Sequence, residues 1–75
     1  MIAAKLRIMG EKPNIDRILM NFMVHNFKVQ DDNDSVLLTV TMPTLRGLKD
    51  LKRRLGGKKE RPTTRVRIIE MSEHG

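Results

Sequence analysis

Ten of the chain's basic side chains fall within residues 43–67: Arg46, Lys49, Lys52, Arg53, Arg54, Lys58, Lys59, Arg61, Arg65 and Arg67. Only two acids, Asp50 and Glu60, accompany them. Residues 1–42 carry five basic and five acidic side chains, which cancel. Cations crowded without carboxylates repel one another, and the chemistry open to them is to hold an anion through charge-assisted hydrogen bonds. Arg46, Lys49 and Arg53 are spaced three and four apart, so on a helix they form one line, which Arg54, Lys58 and Lys59 extend. Lys5 and Arg7, like Arg65 and Arg67, are spaced by two, which puts each pair on one face of a strand.

Other chemistries find few residues. The chain has no Cys, Tyr or Trp, which removes thiol nucleophiles, thiolate metal sites and disulfides. Its two histidines, His25 and His74, have no Cys or acid at ligand spacing, so no catalytic group is expected. Gly56-Gly57-Lys58-Lys59 lacks the spacing of a phosphate-binding glycine loop and follows a helix instead of opening one. Asp31, Asp32 and Asp34 invite a calcium reading, but a loop counted from Asp32 has Leu37 where glycine is required and Pro43 where an acid is required. No metal or other cofactor is expected.

The elements that would position the cations follow from hydrophobic period. Residues 3–9 alternate, with Ala4, Leu6 and Ile8 inward and Lys5 and Arg7 outward, the mark of a strand with one buried face. After a turn at Gly10 to Asn14 the spacing becomes three and four (Ile15, Ile18, Leu19, Phe22, Met23), which predicts a helix stopping near Asn26. Met20 and Val24 fall off its apolar stripe. Phe27 to Gln30 and Val36 to Met42 alternate around the Asp31–Asp34 cluster and predict a hairpin. Its inward set is Phe27, Val29, Val36, Leu38, Val40 and Met42.

Thr44 then caps a second helix with Leu45, Leu48, Leu51 and Leu55 buried and Gly56 at its end. Residues 57–62 read as a loop, 63–71 as a last strand and 72–75 as a polar tail. That strand should turn Val66 and Ile68 to one face and Arg65, Arg67, Ile69 and Met71 to the other.

Strand, helix, strand, strand, helix, strand, with right-handed crossovers, predicts one α+β domain over residues 1–75: a ferredoxin-like α/β plait (βαββαβ), a four-stranded antiparallel sheet with both helices on one face. A chain of 75 residues has room for one small core. The first apolar run is too short for a signal peptide and no segment reaches the roughly 18 apolar residues of a membrane span, so a soluble cytoplasmic protein is expected.

This topology resembles the RNA-recognition motif, a family that stacks bases on aromatics of its two central strands. The corresponding outward positions here are Lys5, Arg7, Thr39 and Thr41, so the resemblance implies backbone-directed, salt-sensitive binding without stacking. The turn at Gly10 also resembles that of ligand-sensing ACT modules, whose Asp-x-Pro-Gly signature is absent from Gly10-Glu11-Lys12-Pro13-Asn14.

The functional expectation is a small basic module that binds DNA or RNA through phosphate contacts. Two surfaces compete for the role. One is the helix and loop (Arg46, Lys49, Arg53, Arg54, Lys58, Lys59), the other the open sheet face (Lys5, Arg7, Arg65, Arg67). The rival expectation is a protein-interaction or homo-oligomeric assembly module using Leu37, Ile69 and Met71, or Met20 and Val24, with the cations serving solubility or an acidic partner.

Overall fold

The computed structural model describes residues 1–57 and 62–73. Six elements follow one another: β1 (Ile2–Met9), α1 (Ile15–Leu19), β2 (Asn26–Asp32), β3 (Ser35–Met42), α2 (Leu45–Gly56) and β4 (Arg65–Glu73). The strands form one antiparallel sheet in the order β2-β3-β1-β4, so β1 and β3 are central and β2 and β4 are edges. The fold is α+β, a four-stranded antiparallel sheet with two helices.

Period two accounts for the central pair. Leu6 faces Leu38, Ala4 faces Val40 and Ile8 faces Val36, all buried on the side that Ile15, Ile18, Leu19, Leu48, Leu51 and Leu55 cover. Those side chains make one cluster, with Phe22, Val24, Val66 and Ile68 against its margin. Tight turns set the register. The β2–β3 hairpin turns on Asn33 and Asp34, with Asn33 in the left-handed region that Asn tolerates better than most residues. Ser35 Oγ donates to the Asp32 carbonyl across it at 3.0 Å.

α1 is much shorter than its apolar spacing predicts. Asn14 caps it, accepting from the Arg17 N–H at 3.2 Å, but it ends at Leu19. From Asn21 the chain reads Asn-Phe-Met-Val-His-Asn-Phe, and apart from Met23 every residue in that run has modest helix propensity. The Asn21 side chain instead donates to the Arg17 carbonyl, and Asn21 and Phe22 close tighter i→i−3 bonds onto Ile18 and Leu19. Met23, expected on the buried stripe, is therefore 76% exposed, while Val24, expected outside it, lies against the core.

The truncation also changes β2. Phe27 and Val29 do sit on the inward side, opposite Val40 and Leu38, yet they are 45% and 39% exposed. α1 lies against α2 and does not reach over β2.

β4 departs from simple alternation as well. Its pairing with β1 shifts between Lys5 and Leu6: Ile68 faces Leu6, but Glu70 faces Lys5, which leaves Ile69 as the extra residue of a β-bulge. Beyond the bulge the faces exchange. Glu70 takes the outward position expected for a neighbour of Arg67, and Met71 pairs with inward-facing Ala4. The strand also runs through Ser72 and Glu73, so the expected tail is partly ladder. Among the described residues, no helix is long and apolar enough to cross a membrane.

Candidate functional site

α2 begins where Thr44 Oγ1 accepts from the Gly47 N–H at 3.0 Å, and it ends at Gly57, whose left-handed φ of 49° is the usual helix stop. The expected stop was Gly56, which instead belongs to the last turn of the helix. Burial of Leu48, Leu51 and Leu55 fixes the rotation of the helix about its axis. One flank then carries Lys49, Lys52, Arg53 and Gly56, and this flank turns toward β4. Together with Thr64, Arg65, Val66 and Ile68 these residues line an open groove of about 560 Å³.

Among the described residues, four basic residues and no carboxylate line that groove. Among the described residues none of Lys49, Lys52, Arg53 and Arg65 has an ion-pair partner. The helix macrodipole accounts for part of this, since cations in a last turn gain roughly 0.3–1 kcal/mol. It does not account for Arg65, which borders the groove from β4 while its place opposite Met9 is on the open-face side of that strand. Val66 and Ile68, half-buried, give the groove an apolar floor.

The position of Arg65 is set by a close crossing at the start of β4. Gly10 has φ 84°, and a Cβ built on it would stand 2.0 Å from the Thr63 carbonyl oxygen. Only glycine permits both the backbone angle and the approach. Next to it Thr64 is buried and its hydroxyl donates to the Glu11 carbonyl. The turn after β1 thus clamps residues 63 and 64 at the start of β4.

The open sheet face is different in kind. Lys5 Nζ lies 3.4 Å from Glu70 Oε2, and an Arg7 terminal nitrogen lies 3.9 Å from Asp32 Oδ2. Arg67 stands directly opposite Arg7 in the ladder, while Arg7 Nε is buried without a hydrogen-bond partner. The register keeps Lys5, Arg7, Arg65 and Arg67 on this one face, with Lys5 partnered by an acid that the bulge delivers and Arg7 near Asp32.

The expected helix line is divided. Lys49 and Arg53 line the groove. Arg46 is exposed but does not line it, and by helical geometry Arg54 falls on the opposite flank. Lys58 and Lys59 lie outside the described residues. Lys52 was not among the expected contacts, and its spacing of three from Lys49 is the signal that could have included it.

The apolar residues of the rival expectation do not converge. Leu37 and Ile69 are on the open face or at the bulge, Met71 has changed face, Met20 is 85% exposed beyond α1, and Val24 joins the core margin. The aspartates of the hairpin are partly partnered: Lys12 Nζ lies 3.1 Å from Asp31 Oδ1 and Arg7 approaches Asp32. Among the described residues, no three His, Asp or Glu side chains are grouped to hold a metal ion.

No protein-family model, curated protein or solved structure matches the chain. A functional reading therefore rests on the residues and their geometry.

Proposed function

We propose that this chain is a small non-enzymatic module, a ferredoxin-like plait, that binds nucleic acid through backbone phosphates in the groove between α2 and β4. The strand order β2-β3-β1-β4 with both helices in one core supports the fold reading. One observation carries the functional reading: among the described residues, Lys49, Lys52 and Arg53 of α2, with Arg65 bordering from β4, line one groove with no carboxylate. Like charges gathered in this way are relieved by a polyanion, and release of its counterions drives the binding. With no aromatic in the groove lining, base stacking has no platform, and the recognition is of the backbone.

The test must separate a site from bulk charge, because a net charge of +6 favours any polyanion. Two double reversals with equal net charge do so: Lys49→Glu with Lys52→Glu in the groove, and Lys28→Glu with Arg67→Glu on the open sheet face. In a fluorescence-anisotropy titration against a labelled oligonucleotide, the groove variant should weaken binding at least about tenfold, roughly 1.4 kcal/mol. The sheet variant should weaken it no more than about threefold. Equal losses would mean bulk charge alone, and affinity weaker than roughly 10⁻⁴ M at physiological salt would sink the reading.

A second reading has its own observation. β2 is an unpaired edge whose inward residues Phe27 and Val29 are left uncovered, and a second copy of the chain could cover them by edge pairing. A concentration-dependent dimer in sedimentation, without oligonucleotide binding, would favour it.

A further inference from the structure

We infer that two copies of this chain pair antiparallel along β2 and join their sheets into one; this rests on the second reading above and needs nothing of the groove. β2 and β4 are the two edges of the sheet, and they differ as edges. β4 is interrupted by the bulge at Ile69, a feature that protects an edge from pairing. β2 keeps one register with β3 over all 7 of its residues and contains no proline. Its inward side chains Phe27 and Val29 are 45% and 39% exposed. Among the described residues nothing pairs with its outer side.

The backbone decides which faces meet. Asp32 and Ser35 close the two-residue turn at Asn33 and Asp34, and such a closing pair exchanges its hydrogen bonds within the hairpin. Bonding direction alternates along a strand, so Phe27, Val29 and Asp31 turn their N–H and C=O groups to the free edge. The same three residues face the helix side of the sheet. A ladder across that edge therefore sets inward residues against inward residues, with the helices of both copies on one side. About a two-fold at Val29 the whole strand overlaps itself, Asn26 lying opposite the partner's Asp32. The two exposed apolar strips become neighbours there. Each copy uses the same edge on the other, so the assembly closes as a dimer.

Charge complementarity selects a second copy of this strand as the occupant, and selects it antiparallel. Lys28 lies in the first half of β2, Asp31 and Asp32 at its end. Antiparallel pairing brings the basic half of each strand to the acidic half of the other, twice over. Parallel pairing would set Lys28 on Lys28 and the aspartates on one another, which is destabilising. Within the chain Lys12 and Arg7 hold the two aspartates only through exposed pairs, which contribute little. Both carboxylates can therefore meet a cation of the second copy.

Sedimentation equilibrium without nucleic acid should show a concentration-dependent dimer and no larger species. Lys28→Asp makes the charges of β2 all acidic, and Asp31→Lys with Asp32→Lys makes them all basic. Each variant alone should dimerise at least about tenfold more weakly, and an equimolar mixture should restore the association. Restoration also shows that both variants fold. Because the chain has no Cys, single thiols report direction. Asn26→Cys mixed with Asp32→Cys should cross-link to each other under mild oxidation faster than either links to itself. Preferential linking of Asn26→Cys to itself would overturn the antiparallel pairing. A dimer unmoved by the β2 reversals and lost on Ile69→Lys would overturn the β2 contact and leave assembly intact. A chain monomeric up to about 1 mM would overturn the inference together with the second reading, whatever the oligonucleotide titrations give.

Discussion

The α2–β4 groove and the open sheet face each present several cations, and they differ in what stands beside those cations. On the sheet, Lys5 has Glu70 at 3.4 Å and Arg7 has Asp32 at 3.9 Å, so its positive charge is interleaved with negative charge. In the groove, Lys49, Lys52 and Arg53, with Arg65 at its border, stand with no carboxylate among the described lining residues. Exposed ion pairs contribute only about 0–1 kcal/mol to stability, so the sheet pairs are weak as fasteners. Their effect on the local field is larger, because each acid cancels a charge that a phosphate would otherwise meet. A count of basic residues therefore misjudges both surfaces. What separates them is one bulged residue, Ile69, which delivers Glu70 to Lys5, and one crossing at Gly10, which holds the start of β4 beside the groove.

The crossing is the point at which the contrast is most easily broken. Gly10→Ala asks for a Cβ 2.0 Å from the Thr63 carbonyl oxygen at a φ of 84°, so backbone must move. Strain at such an angle and overpacking each cost roughly 1–3 kcal/mol. A domain of this size has only about 4–11 kcal/mol of stability in total. Thermal unfolding should fall by about 10 °C or more, given 4–8 °C for each kcal/mol. Because the shifted residues lead directly into Arg65, oligonucleotide affinity should fall even at temperatures where the variant is folded. An unchanged melting temperature would show that the crossing does not hold the groove together.

How much of this was readable in the sequence depends on the range of the interaction. Alternation in Ala4, Leu6 and Ile8 and in Val36, Leu38, Val40 and Met42 announces the central strands, because burial on one face imposes period two directly. Leu48, Leu51 and Leu55, with Thr44 before them, announce α2 in the same way. The length of α1 was not readable from period alone. Phe22 and Met23 continue its spacing, but Asn21 offers the backbone a competing hydrogen bond, and that competition is local and close in energy.

The bulge at Ile69 leaves still less trace, because nothing in Arg-Ile-Ile-Glu-Met marks which isoleucine lies outside the ladder. The groove itself is a long-range product. Lys52 and the start of β4 border one groove only because the leucine stripe rotates α2 and the Gly10 crossing positions β4, and neither constraint is visible in the spacing of the cations.

A milder test acts on one wall of the groove. Gly57 ends α2 at a φ of 49°, and Gly57→Ala places a Cβ in a conformation that costs roughly 1–2 kcal/mol for an L residue. The last turn, which carries Lys52 and Arg53, should fray. Hydrogen exchange of the amides at residues 53–56 should accelerate while β1 and β3 amides, set by global stability, change only by the overall loss. Oligonucleotide affinity should drop by about twofold. Full retention of affinity with a frayed helix end would shift the weight of the proposed contact toward Arg65 and Lys49.

The smallest expected effect bears on the contrast most directly. Glu70→Gln removes the acid beside Lys5 and makes that part of the open sheet face resemble the groove in charge, without altering the bulge. Stability should change by less than about 0.5 kcal/mol, since Glu70 and Lys5 are both well exposed and their pair is screened. If the groove is the contact, added charge on the sheet raises affinity only through the general field. The gain should be about threefold or less at low salt and vanish near 0.15 M, where the Debye length is about 8 Å. If instead the sheet is the contact, Lys5 becomes free to meet a phosphate, and the gain should exceed about tenfold and persist as the salt rises. Glu70→Gln titrated at two ionic strengths therefore distinguishes a surface that is silent because its cations are neutralised from one that is silent because no ligand reaches it.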